Sequence, residues 1–215
     1  MQDVFNPQAR RIAVMGGTFD PIHYGHLVTA EAVRHEFAID QVLFIPTGQP
    51  PHKALGAVSD AESRYLMTLL ATESNEHFYA SRMEIDRGGF TYTIDTIRAL
   101  QKIYSPGTEI FFITGADAFY QMFGWHNAEE LLGACTFVAA TRPGYQKEEL
   151  IRRIGVTNQD HPRRRFHFLE VPALAISSSD IRERVRNGRP IKYLVPEAVE
   201  NFIKKHRLYR EEEKG

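Results

Sequence analysis

Several things are scarce or missing in this sequence, and each absence removes a class of protein. A single cysteine, Cys135, stands among 215 residues, so neither an internal disulfide nor a cysteine-rich metal site can form. In the apolar stretch "LLGACTFVAA" it reads as a small core residue, and it fits a reducing cytoplasm. No signal-peptide pattern and no apolar run of membrane-spanning length is visible. The formal net charge is -1, so no global field draws the chain to nucleic acid or to an anionic membrane. One basic cluster exists, Arg163, Arg164 and Arg165 in "HPRRRFHF", and it reads as a solvated loop before it reads as a phosphate site. There is no Gly-Lys-Ser/Thr, no spaced Gly-x-Gly-x-x-Gly and no Gly-x-Ser-x-Gly. A P-loop, a dinucleotide fingerprint and a serine-hydrolase elbow are thereby excluded. Internal repeats and low-complexity tracts are also lacking.

What remains is an ordinary globular balance, 43% apolar and 25% charged, in a chain long enough for one domain with a real core. Short β-rich runs recur at 11–15, 41–46, 77–85, 109–115, 135–142 and 165–171. Segments of helical period lie between them, among them "LVTAEAVRHEFA", "AESRYLMTLLATES", "TIDTIRALQKIY" and "QKEELIRRI". Ser59 and Glu62 have capping-box spacing at the second of these. Alternating strands and helices predict an α/β fold, a doubly wound (Rossmann-like), mostly parallel sheet. Two further helices, in "SSSDIRERVRNG" and "VPEAVENFIKKHRLY", predict a small C-terminal helical lobe, with Pro196 near the start of the second. The chain divides into a loose lead-in (1–10), an α/β core (11–175), the helical subdomain (176–209) and a frayed tail (210–215). The longest non-periodic stretch, residues 47–59, is a surface loop of the kind that often carries function.

The first strand runs into "VMGGTFDPIHYGH". In a doubly wound sheet, ligands sit beyond the carboxyl ends of the strands. Glycines there let backbone approach a ligand closely, and the free N–H groups of a following helix favour phosphate. His23 and His26 are three apart and share a face of that helix start. Two imidazoles so placed can donate to phosphate oxygens and offset growing charge. Taken alone, His-x-x-His more often marks two core histidines. Metal ligation is a further reading, but no third ligand cluster is evident.

The whole string resembles the nucleotidylyltransferase superfamily, whose hallmark is His-x-Gly-His after the first strand, here "HYGH". A second hallmark of that superfamily, an Ile-Ser-Ser-Thr-like turn followed by Arg, is matched by "ISSSDIR", with Ser179 where Thr is common. Within the superfamily the chain resembles the nicotinate-nucleotide adenylyltransferases of bacterial type. The matching segments are "GGTFDPIHYGH", "FIPTGQPPHK", "SRMEIDRGGFTYTIDTI", "FFITGADAFYQMFGWHNAEELL", "TRPGY" and "VPALAISSSDIRERV". Residues 146–165 are the least diagnostic.

The resemblance implies a nucleotide-binding core and adenylyl transfer from ATP to nicotinate mononucleotide, giving deamido-NAD and pyrophosphate in NAD biosynthesis. It places His23 and His26 as catalytic residues at the phosphates. Gly16, Gly17, Thr18 and Phe19 line the nucleotide, and Gly115, Asp117 and Arg142 flank ribose and adenine. Ile176 belongs to the ATP site, and Ser177, Ser178 and Arg182 hold the ATP phosphates that depart. Lys53, Thr91, Tyr92 and Trp125 are the candidates for the mononucleotide. Trp125 can stack on a pyridinium ring, and the "GGFTYT" turn offers amides to a carboxylate. The plain alternatives remain at this stage: an N-cap for Ser177 or Asp117, a core position for Trp125, a solvated charge for Lys53. No protein metal site is expected, and Mg2+ is to come bound through the ATP phosphates. Nucleic acid and membrane are not expected partners; a homo-oligomer is compatible with the sequence. Rival readings are an adenylyltransferase for nicotinamide mononucleotide or pantetheine phosphate, and a non-catalytic nucleotide sensor on the same fold.

Overall fold

The computed structural model describes residues 6–49, 58–141, 165–172 and 175–210. Among the described residues, six strands form one sheet: β1 (Arg11–Gly17), β2 (Gln41–Pro46), β3 (Phe78–Ala80), β4 (Glu109–Gly115), β5 (Thr136–Thr141) and β6 (Arg165–Glu170). Their order is β3-β2-β1-β4-β5-β6. Every pairing is parallel, where the sequence predicts only a mostly parallel sheet. The chain winds outward from β1 in one direction and then returns to place β4 on its other side. That reversal between β1 and β4 is the topological switch point at which such sheets open a crevice.

Alternation along the strands builds the core on both faces. Ile12 and Val14 of β1 join Leu43 and Ile45 of β2 on one face. Ala13 and Met15 join Val42 and Phe44 on the other. The first face is covered by α4 (Thr93–Ile103), through Ile94, Ile97 and Leu100, and by α6 (Ala128–Ala134), through Leu131 and Leu132. The second is covered by α1 (Tyr24–Glu36), through Ala30 and Val33, and by α2 (Ala61–Thr72), through Met67 and Ala71. The two C-terminal helices, α7 (Ser178–Arg186) and α8 (Glu197–Lys205), bring Ile181, Val199 and Ile203 into this same second cluster. No helix among the described residues is long and apolar enough to cross a membrane.

Some local expectations change. The run 77–85 is strand only over Phe78–Ala80, and α3 (Met83–Arg87) follows at once. The cap of α2 is Asp60, whose carboxylate accepts from Ser63 N–H, and not Ser59 paired with Glu62. Ser59 is drawn into another network, described below. Pro196 is the N-cap of α8, one position before the helix proper. The connector "ADAFYQMF" is α5 (Ala116–Gln121) followed by a 3-10 turn at Met122–Gly124. The described part of the lead-in is fastened to the body: Ala9 is buried, and Pro7 O and Ala9 O accept from Ser105 N–H and the Thr108 hydroxyl. The segment "QKEELIRRI" lies outside the described residues.

Candidate active site

A cavity of about 590 Å³ opens at the switch point, over the carboxyl ends of β1, β4 and β5. It brings together Gly16, His23, His26, Gly115, Trp125 and Ile176 from the positions singled out in the sequence. Phe112, Thr114 and Thr141 complete its sheet-side wall.

His23 is the N-cap of α1, in extended backbone conformation. Its own N–H donates to Nδ1 of His26 at 3.3 Å, the reach-back half of a capping box in which histidine replaces the usual glutamate. With Nδ1 an acceptor, the proton of a neutral His26 lies on Nε2. The two imidazoles stack, with centroids 3.8 Å apart and planes 28° from parallel. Phe19 and His26 also meet in a T-shaped contact, centroids 5.1 Å apart and planes 86° from parallel. Burial pushes His23 down to about 4. Burial, and then the neighbouring charge of His23, push His26 well below the ordinary histidine value. Both rings are therefore neutral donors at pH 7. Gly25 is required between them: a Cβ there would lie 2.9 Å from His23 Nδ1.

This pair makes the protein acid-sensitive. The unfolded chain binds a proton at His23 near 6.5, whereas the folded protein resists it down to about 4. Stability should therefore be complete above pH 6.5 and fall as pH drops from 6.5 toward 4, by roughly 3 kcal/mol through His23 alone. Urea denaturation at a series of pH values checks this, and a stability unchanged across that window would contradict the buried neutral pair.

Phe19 and Thr18 stand behind the cavity instead of lining it. Phe19 is buried against His26 and Phe44. The Thr18 carbonyl accepts from Arg64 at 2.9 Å. Gly17 O accepts from Thr47 N–H, which ties the ends of β1 and β2 together. The "ISSSDIR" segment is docked on the first turn. Ser177 caps α7 by accepting from Asp180 N–H. Ser178 Oγ donates to Pro21 O at 2.9 Å, and Arg182 Nη1 donates to Asp20 O at 2.7 Å. One motif thus holds the other.

The candidates for a second substrate form a neighbouring group. Trp125 sets its edge on Phe112, centroids 5.9 Å apart. The next residue, His126, faces the ring of Tyr92 at 4.4 Å. This contact brings the turn before α4 against the Trp125 connector. Gly88 and Gly89 have φ of 69° and 67°, which gives the turn its left-handed course. Thr91 is buried under it, beside Glu84. Burial raises the Glu84 carboxyl, and the hydrogen bond from the Thr96 hydroxyl at 2.7 Å pulls it back. Lys53, Arg142 and the side chain of Asp117 lie outside the described residues, as do residues 146–164.

Sequence reasoning missed Arg64. It is 1% exposed and donates from Nε to Ser59 O (3.0 Å), from Nη1 to Thr18 O (2.9 Å) and Thr47 O (2.7 Å), and from Nη2 to Gly48 O (3.0 Å). One buried guanidinium thus gathers the loops after β1 and β2. Gly48 has no room for a side chain: a Cβ there would lie 2.5 Å from Glu84 O. Asp20, Tyr209, Phe112 and His126 were missed as well. Only His126, adjacent to Trp125, carried a local signal.

The family described as cytidylyltransferase-like matches residues 14–184. A Moorella thermoacetica protein named "Probable nicotinate-nucleotide adenylyltransferase" is 56% identical over 93% of this chain and 92% of its own. A protein of the same name from a Thermoanaerobacter species is 54% identical over 95% of this chain and 97% of its own. Among solved structures, the chain is similar to Plasmodium falciparum nicotinic acid mononucleotide adenylyltransferase complexed with NaAD, with TM-score 0.75 over 93% of this chain and 97% of that one. At 19% identity that likeness speaks to the fold.

Proposed function

From the premise that the chain belongs to the nicotinate-nucleotide adenylyltransferases, within the cytidylyltransferase-like family, we propose how its residues carry out that reaction. The enzyme transfers an adenylyl group from ATP to nicotinate mononucleotide, in NAD biosynthesis. A phosphate oxygen of the mononucleotide attacks the α-phosphorus of ATP. The bond from that phosphorus to the bridging oxygen of the β-phosphate breaks, and pyrophosphate leaves. The attacking oxygen is already anionic, so no protein nucleophile or base is needed. Catalysis is positioning and charge stabilisation.

The observation that carries this reading is the neutral imidazole pair at the end of β1, with the His26 Nε2–H preset as a donor. His26 serves the α-phosphate and His23 the phosphate beside it. Gly16 lets backbone approach the nucleotide, and Gly115 borders it on the β4 side. Ser178 and Arg182 serve the departing phosphates from the start of α7, where free N–H groups also favour anions. ATP carries Mg2+ on its own phosphates, a cation that keeps several waters and takes few protein ligands. The described residues hold no cluster of three ligating side chains.

Nicotinate stacks on Trp125, and its carboxylate takes the N–H groups of the turn at Thr91 and Tyr92. Those donors suit two carboxylate oxygens. An amide would set NH2 against N–H and leave groups unpaired, at about 1–3 kcal/mol each. kcat/KM should therefore favour nicotinate over nicotinamide mononucleotide by at least about tenfold. Trp125→Ala should weaken mononucleotide binding more than ATP binding. Pyrophosphate release with each mononucleotide and ATP is the measurement. Equal kcat/KM values would return the turn to a purely structural role.

A further inference from the structure

The reaction leaves no task for Tyr209, at the far end of the C-terminal lobe. Its hydroxyl donates to Asp20 Oδ1 at 2.7 Å, across 189 positions of sequence. Asp20 is 2% exposed, and its Oδ2 accepts from Ser59 N–H at 3.2 Å. A buried carboxylate has to be supplied with donors, and Tyr209 makes the shorter of these two bonds. Burial and the charge of Asp20 both push the phenol up, so it remains a donor. The buried guanidinium of Arg64 feels the Asp20 charge without bonding to it.

Asp20 lies at the centre of the first turn. Before it comes Phe19, whose ring packs against His26 in a T-shaped contact. After it comes Pro21, whose carbonyl Ser178 holds. Arg182 grips the backbone carbonyl of Asp20 itself, and Arg64 grips that of Thr18. These are backbone clamps. The Asp20 carboxylate is the turn's side-chain clamp, and Tyr209 is what fixes it from the far side.

We infer that Tyr209 is a positioning residue for adenylyl transfer: its hydroxyl, acting through the Asp20 carboxylate, holds the β1 turn so that Phe19 and His26 present the donor at the reacting phosphate. This rests on the placement of His26 given above. A small displacement of a reacting geometry is costly: a shift of about 1 Å can cost on the order of a hundredfold in rate.

Tyr209→Phe removes one oxygen and keeps the ring. Its kcat should fall about ten- to a hundredfold, while both KM values stay close to wild type. A role confined to stability would lower Tm and leave kcat alone, and a folded Tyr209→Phe enzyme with wild-type kcat overturns the inference. In an Asp20→Ala background the same change should cost nothing further; a full additional loss there would show that Tyr209 does not act through Asp20. Amide hydrogen exchange across residues 17–26 gives a readout without turnover. Faster exchange in Tyr209→Phe is expected, and unchanged protection overturns the inference. A wild-type protein that formed no deamido-NAD would instead sink the placement of the reaction, and the exchange comparison would still decide whether Tyr209 holds the turn.

Discussion

His26→Ala should keep the fold and lose about 10²–10³ in kcat, the effect of removing one preorganised donor, equivalent to about 2.7–4 kcal/mol. The ring is held by three contacts before substrate arrives. His23 N–H fixes its tautomer, the His23 ring stacks on it, and Phe19 packs against it in a T-shaped contact. None of that ordering is repeated at the moment of reaction, so the donor's full value falls on the transition state. Because the donor is a neutral ring, kcat should hold as pH rises from 6.5 to more alkaline values. Steady-state kinetics beside a thermal melt makes the measurement. A folded His26→Ala enzyme with near-normal kcat would remove His26 from the chemistry.

The second large effect is on stability. Arg64→Met keeps a long side chain in the same space but leaves four carbonyls, at Ser59, Thr18, Thr47 and Gly48, without their donor. It also leaves the buried Asp20 charge without the guanidinium that balances it. Breaking a buried charged contact of this kind costs about 3–5 kcal/mol. Arg64→Lys should fall between, since an ammonium keeps the charge but lacks the planar fork that reaches several carbonyls at once. Equilibrium denaturation reads both. An Arg64→Met protein within about 1 kcal/mol of wild type would mean that those carbonyls find other partners.

How far the sequence is legible follows from the range of the forces involved. Strands and helices are written in local periodicity, so the six strands and the helices between them stand out, and α4 shows its buried Ile94, Ile97 and Leu100 directly. The His23–His26 pair is legible because a single turn of chain makes it. Arg64 is not. A charged residue within "ESRYLMTLL" reads as part of a solvated face, and its burial is decided by carbonyls that arrive from two separate loops. The run 77–85 suggests a longer strand than Phe78–Ala80 because its β-rich composition continues into residues that α3 uses. Asp60 overrode the expected Ser59 cap because the Ser59 backbone is occupied by Asp20 and Arg64.

The clamps on the first turn also set an order of assembly. Ser178, Arg182 and Tyr209 reach Pro21 and Asp20 across 157, 162 and 189 positions. During synthesis at about 5–20 residues per second, the turn leaves the ribosome many seconds before its clamps exist. β1 can pair with β2 early, but these three side chains cannot hold the first turn until residues 178–209 have been made and docked. On the proposed function, a chain cut before α7 would carry both histidines without the three side chains that hold their turn.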